Sequence, residues 1–179
     1  MLITGASGVG KSTLLHLIFR FMDPDSGQVL IDGQDLTDLT LDSYRKEVSY
    51  CPQNPIMFNV SVLENLRYSD IDKYFYKKPY DMSGGKLGTL DGDPDNLDYE
   101  YLPVNGDTVE PEIDQYCREF NMIGRINANP EKYLTLLGDQ GAKFSGGERQ
   151  RFNIIRSLLK ESRIVLFDEP TNSLDAKNE

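Results

Sequence analysis

The stretch Gly5-Ala6-Ser7-Gly8-Val9-Gly10-Lys11-Ser12 gathers three glycines, a lysine and two hydroxyls within one short run. Glycines let backbone N–H groups converge without Cβ interference, and converging N–H groups form a nest for an anion. The order Gly, four residues, Gly-Lys-Ser is that of a P-loop. There the lysine reaches the β- and γ-phosphates of a nucleoside triphosphate and the hydroxyl ligates Mg²⁺. Gly5, Ser7, Gly8, Val9, Gly10, Lys11, Ser12 and Thr13 are therefore read as nucleotide-binding residues, with Ser12 also a metal ligand. Farther along, the apolar run Arg163 to Phe167 ends in Asp168-Glu169. In a parallel sheet, ligands bind beyond the carboxyl ends of the strands, so Asp168 is expected beside the P-loop. A carboxylate there can hold Mg²⁺ opposite Ser12, and Glu169 can accept a proton from an attacking water. An acidic strand end facing solvent is the plainer alternative for Asp168-Glu169 taken alone. A Gly-rich turn with a surface lysine is the plainer one for the first stretch.

The elements needed to position these groups are legible around them. Met1-Leu2-Ile3-Thr4 reads as a short buried strand leading in, and Leu14, Leu15, Ile18, Phe21 and Met22 recur at helical spacing leading out. Asp23-Pro24-Asp25-Ser26-Gly27 is dense in turn formers and is expected to stop that helix. Gln28 to Ile31 reads as a strand with Asp32-Gly33 as its turn. A turn and short helix follow over Leu36 to Glu47, with Leu41 and Tyr44 facing inward, and Val48 to Cys51 reads as a second buried strand. Two prolines make Pro52-Gln53-Asn54-Pro55 an extended loop. Ser61-x-x-Glu64 and Ser145-x-x-Glu148 are capping boxes opening helices, the second lined by Phe152, Ile155 and Leu159. Helical spacing also joins Ile113, Tyr116, Phe120 and Ile123, until Asn129-Pro130 breaks it.

Composition bounds the rest. The 179 residues suit one domain of α/β class. Acidic residues outnumber basic ones 29 to 19, which argues against a nucleic-acid partner. Cys51 and Cys117 lie far apart and read as ordinary thiols. No apolar run approaches the ~20 residues that cross a bilayer. From 69 to 111 the apolar periodicity disappears. Between Asp70 and Glu112, eight Asp and three Glu face four Lys, so this stretch carries seven of the ten net negative charges. Such a composition cannot bury enough apolar surface to offset ordering, and the stretch reads as an acidic, disordered insertion. Within it, Asp91-x-Asp93-x-Asp95 imitates a calcium loop, but Asn96 replaces the turn glycine and Leu102 the final glutamate. Ser83-Gly84-Gly85-Lys86 lacks the helix and strand a functional copy of Ser145–Glu148 would need, and Tyr74, Tyr76, Tyr80, Tyr99 and Tyr101 read as loop residues.

With these residues in order, the sequence resembles the nucleotide-binding domain of an ATP-binding cassette (ABC) protein. Gly5 to Ser12 is similar to its Walker A, Gln53 to its Q-loop glutamine, and Ser145-Gly146-Gly147-Glu148 to its signature motif. Ile164 to Glu169 resembles its Walker B and Ser173-Leu174-Asp175 its D-loop. Phe58 with Ser61-Val62-Leu63-Glu64-Asn65-Leu66, Thr40 to Arg45, and Gly138 to Phe144 are most like multidrug-type and mitochondrial half-transporters. The resemblance implies a P-loop NTPase fold with a mainly parallel sheet. It places 1–68 and 160–179 in a RecA-like core, 112–159 in a helical signature subdomain, and 69–111 in the insertion.

It further implies ATP and Mg²⁺ as ligands and a head-to-tail dimer of two such domains. ATP would lie between the P-loop of one and Ser145, Gly146, Gly147 and Glu148 of the other, with Asp175 aligning the partner's site. Gln53 would touch Mg²⁺ or the attacking water and relay its state to a transmembrane domain on the same or a partner chain. The nucleotide domain would then sit on the cytosolic or matrix side of a membrane, and hydrolysis in the complete dimer would drive export. Family members also carry an adenine-stacking aromatic before the P-loop strand and a switch histidine after the D-loop. The single histidine here, His16, lies in the P-loop helix, so the sequence reads as a domain cut at both ends, with exposed sheet edges. Two other classes stay open: a soluble ABC ATPase of chromosome maintenance or translation, and a non-hydrolysing interaction fragment. The chromosome type would need coiled-coil heptads between Gln53 and Ser145, and none are present.

Overall fold

A computed structural model describes residues 1–69, 75–77, 99–101 and 109–170. The first helix, α1, spans Lys11–Ile18. It ends earlier than the apolar spacing suggests, because Arg20 turns left-handed at φ 56°. Phe21 N–H then donates to His16 C=O at 2.9 Å and Arg20 N–H to Leu17 C=O at 3.1 Å, which closes the last turn and leaves Phe21 and Met22 outside the helix. Next comes a tight hairpin, β1 (Leu30–Ile31) against β2 (Gln34–Asp35). Asp32 and Gly33 hold the positive φ values, 51° and 81°, that a two-residue turn of this hand requires.

A single turn of 3-10 helix at Leu36–Asp38 and α2 (Leu41–Glu47) lead into β3 (Val48–Cys51). Thr40 caps α2, and Tyr44 is buried with its hydroxyl on Ile18 C=O at 2.5 Å. Leu41, expected to face inward, is 40% exposed: it shares Tyr44's side of α2 but sits at the helix's first position, where the chain before it leaves it uncovered. β3 pairs in parallel with β6 (Ile164–Phe167), Val48 opposite Ile164 through Cys51 opposite Phe167. This parallel pair brings the Gln53 loop and Asp168-Glu169 to one edge. Met1–Thr4 makes no strand: Met1 and Leu2 are exposed and no ladder among the described residues reaches them.

The remaining helices pack together as a second body. α3 (Val62–Arg67) opens on a complete capping box, with Glu64 N–H on Ser61 Oγ and Ser61 N–H on Glu64 Oε2 at 2.8 Å. α4 (Pro111–Glu119) ends in the same way as α1, with Asn121 left-handed and Met122 N–H on Cys117 C=O at 2.7 Å. That turn separates Phe120 from Ile123, which starts the short α5 (Ile123–Asn127). α6 (Gly146–Leu159) carries the second capping box. Leu63, Leu66, Ile113, Met122, Ile126, Phe152, Ile155 and Leu159 form one apolar cluster, apart from the smaller cluster of Leu36, Tyr44 and Val48 under β3 and β6. α3, grouped by sequence with the P-loop part, thus contributes to the helical body instead. In the acidic stretch expected to lack order, β4 (Phe75–Lys77) pairs antiparallel with β5 (Tyr99–Tyr101). The Asp91–Asp95 and Ser83–Lys86 imitations, Tyr74 and Tyr80 lie outside the described residues. Among the described residues no helix is long and apolar enough to cross a membrane.

Candidate functional site

The loop before α1 is bent by its glycines. Gly8 and Gly10 adopt φ 78° and 103°, values an L side chain resists, and Gly10 is the residue from which α1 starts. At Gly5 the constraint is space, since a Cβ there would come within 3.1 Å of Val9 Cγ1. Lys11 folds back over this loop, donating from Nζ to Gly5 C=O and Ala6 C=O at 3.1 Å each. Its Nζ also lies 3.7 Å from Glu169 Oε1.

Ser12, one residue into α1, donates from Oγ to Asp168 Oδ1 at 2.9 Å across 156 residues of sequence. Asp168 is buried, fixed by its own N–H on Cys51 C=O at 3.0 Å. Glu169, left-handed at φ 47°, accepts from Gln53 Nε2 at 2.9 Å. A glutamate held in that region is a strained backbone position of the kind that clusters at reacting sites. Sequence-expected Lys11, Ser12, Gln53, Asp168 and Glu169 therefore meet in one place. Thr13 follows in the first turn of α1.

The donor set suits a hard divalent cation. Ser12 Oγ and Asp168 Oδ1 are adjacent oxygens, and Gln53, bonded through Nε2, keeps its carbonyl oxygen for another contact. No group of three or more His, Cys, Asp or Glu side chains gathers among the described residues. Two or three protein oxygens with no dedicated cage fit Mg²⁺, which keeps waters and shares phosphate oxygens.

Ser145, Gly146, Gly147 and Glu148 are engaged elsewhere. Glu148 N–H donates to Ser145 Oγ at 3.2 Å, while the Glu148 carboxylate accepts from Ser145 N–H at 2.7 Å and pairs with Arg125 at 3.2 Å. These bonds fix the start of α6, and none of them reaches the P-loop. Asp175 lies outside the described residues.

A family model described as ABC transporter matches residues 1–172. The chain belongs to the ABC transporter family. It is 36% identical over 177 residues to the mitochondrial iron-sulfur clusters transporter ATM1 of Debaryomyces hansenii, covering 99% of this chain and 20% of that protein. It is 34% identical to human ATP-binding cassette sub-family B member 6, covering 99% of this chain and 17% of the relative. A solved bacterial Atm1-family ABC exporter with ATP bound superposes with a TM-score of 0.71 at 32% identity, over 97% of this chain and 24% of that one. The chain thus spans about a fifth of the length of the curated relatives it matches. The P-loop NTPase fold expected of an ABC domain is the fold of this chain.

Two further residues carried no sequence signal strong enough to single them out, Tyr50 within this ABC site and Arg156 away from the P-loop. Tyr50, read only as a strand residue, donates from its hydroxyl to Asp168 Oδ2 at 3.3 Å, and His16 Nε2 lies 3.2 Å from that same hydroxyl. Burial, and then the nearby Asp168 carboxylate, push the Tyr50 phenol up to about 12, so it keeps its proton. The available clue was a polar-tipped aromatic inside an otherwise buried strand, three residues before Gln53. Arg156 lies one helical turn after Phe152 on the same face. Burial lowers its guanidinium to about 10.

Proposed function

We propose that this chain is the ATP-binding and ATP-hydrolysing unit of an ABC exporter. The observation that carries the reading is the Ser12–Asp168 bond, which joins the P-loop helix to the end of β6 at 2.9 Å. The amides of Gly5, Ser7, Gly8, Val9 and Gly10 would cradle the triphosphate, helped by the positive end of α1. Lys11 would exchange its loop carbonyls for β- and γ-phosphate oxygens, and Thr13 would stand beside the phosphates. Ser12, Asp168 and Gln53 would hold Mg²⁺, which when bound neutralises charge on the transferring phosphoryl group. Glu169, steered by Gln53, would accept the proton of the attacking water. Gln53 is well placed to report that event, since it sits on the loop between β3 and the helical body.

Ser145, Gly146, Gly147 and the capped α6 would serve a second ABC domain, offering donors and a helix N-terminus to the ATP held by that partner. The Glu148 carboxylate, committed to the cap and Arg125, would act by shaping that turn. Asp175 would align the two sites. A groove of about 430 Å³, with exposed Phe21, Ile56 and Phe58 at its rim, suits contact with a transmembrane domain. Its relatives' names place some of them in mitochondria, so a membrane location with this domain on the matrix or cytosolic side is part of the proposal.

The test is binding of a fluorescent ATP analogue together with phosphate release, measured on the full-length protein. Lys11→Ala abolishes binding, whereas Glu169→Gln keeps binding and cuts release by about 100-fold or more. ATP binding that survives Lys11→Ala, or turnover that ignores Glu169→Gln, removes the assignment.

A further inference from the structure

The Asp168 carboxylate has two oxygens, and the P-loop uses one. Oδ1 accepts from Ser12 at 2.9 Å, and Oδ2 accepts from the Tyr50 hydroxyl at 3.3 Å. We propose that Tyr50, backed by His16, is a positioning residue that holds Asp168 in the rotamer from which it ligates Mg²⁺. The proposal rests on the nucleotide-site reading above and adds to it a second-side support for the metal carboxylate.

Three observations carry it. First, the geometry is over-determined. Asp168 is only 6% exposed, and its backbone N–H is tied to Cys51 on the strand that carries Tyr50. Tyr50 stands opposite Leu166 in the parallel register, two residues before Asp168, so the pairing of β3 with β6 itself delivers the hydroxyl. Second, the tyrosine cannot drift. Its ring packs against Phe19 and Phe21 with centroids 5.5 and 5.4 Å apart, and against the His16 imidazole at 5.9 Å. Third, the proton count is determinate. A phenol has one proton, and Tyr50 spends it on Asp168, so its oxygen can only accept from His16. His16 Nε2 must therefore carry the hydrogen in the 3.2 Å contact. A directed chain runs from His16 N–H to Tyr50 O, from Tyr50 O–H to Asp168 Oδ2, and from Ser12 O–H to Asp168 Oδ1.

Two effects of losing the hydroxyl oppose each other. Donation from Tyr50 draws charge from the carboxylate and by itself weakens metal binding. Without it, however, a buried acceptor loses its donor, and the carboxylate can rotate away from Ser12 to find another. Leaving a buried acceptor unsatisfied outweighs the small polarising effect of a 3.3 Å bond. Misplacement therefore wins and metal affinity falls.

The experiment uses Mn²⁺ as the metal probe, titrated into the full-length protein with a non-hydrolysable ATP analogue and followed by electron paramagnetic resonance. Analogue binding in EDTA is measured in parallel. Tyr50→Phe keeps the ring packing and removes only the hydroxyl. It is expected to raise the Mn²⁺ half-saturation about 3- to 10-fold, while metal-free analogue binding changes less than about twofold. His16→Leu is expected to raise it by a smaller factor, and His16→Gln, which retains an N–H near Nε2, to restore it. Unchanged or tighter Mn²⁺ binding in Tyr50→Phe overturns the proposal, as does an equal loss in metal-free binding. If Tyr50→Phe does not fold, the difference between His16→Leu and His16→Gln decides, and its absence overturns the proposal. Wild-type protein that binds no ATP analogue points instead to failure of the nucleotide-site reading itself.

Discussion

Replacing Arg156 with methionine removes the guanidinium that ties α6 to the segment following Gln53. Its Nε donates to Asn65 C=O at 2.9 Å, Nη1 to Ile56 C=O at 2.9 Å and Nη2 to Asn65 Oδ1 at 3.1 Å. The group also lies over the Phe58 ring, 5.7 Å from its centroid. Hydrogen bonds from a charged donor contribute about 1.5–3 kcal/mol each, so the three are worth roughly 5–9 kcal/mol gross. Against that stands the desolvation that lowers the guanidinium from 12.5 to about 10, a cost of roughly 3 kcal/mol. The net loss is about 2–6 kcal/mol, and at the middle of that range the melting temperature drops by roughly 8–16 °C for a chain of this size. The local signature is sharper. Phe58 N–H donates at 3.0 Å to Asn65 Oδ1, the atom Arg156 also holds, so hydrogen exchange at Phe58 accelerates well beyond the global loss. ATP-analogue affinity stays within about twofold, since none of the P-loop bonds involve Arg156. A melting temperature within about 1 °C of wild type, with unaltered exchange at Phe58, refutes this account of Arg156.

Two further outcomes follow from the same geometry. Gly10→Ala meets no steric neighbour but forces alanine to φ 103°. It costs about 1–3 kcal/mol of stability and lowers ATP-analogue affinity at least about tenfold, as checked by thermal melts and a binding titration. Stability also falls at alkaline pH. Burial raises the Cys51 and Cys117 thiols from an ordinary 9.0 to about 11 and about 12, and the Tyr50 phenol from 10.0 to about 12. The folded chain keeps these protons after the unfolded chain has lost them. The contribution is therefore whole below pH 9 and disappears as pH climbs to between 11 and 12, readable as falling denaturation midpoints across that window.

Much of the site was legible because its parts are local. A P-loop, a capping box and an apolar strand ending in carboxylates are each specified by neighbours in sequence, and Ser12, Asp168, Gln53 and Glu169 meet as their order implied. What escaped was set by tertiary contact or by unusual backbone. Non-glycine residues at positive φ, Arg20 and Asn121, end α1 and α4 where apolar spacing alone would have carried them on. The lead-in strand at Met1–Thr4 needed ladder partners that periodicity cannot supply. The partition of α3 into the helical body depended on Val62, Leu63 and Leu66 finding α6, which no local pattern encodes. Tyr50 and Arg156 looked like ordinary strand and helix residues until the parallel pairing and the helix packing gave each of them a partner.

If Ser12 and Asp168 act together on the metal of one nucleotide, as their 2.9 Å bond supports, their substitutions are coupled. A double-mutant cycle tests it most directly, using Ser12→Ala, Asp168→Asn and the pair in the full-length protein. The quantity read is the gain in ATP-analogue affinity on adding Mg²⁺. Strong non-additivity is expected, with either single change removing most of the gain and the second adding little. Fully additive losses, or an Mg²⁺ gain that survives both substitutions, would contradict it.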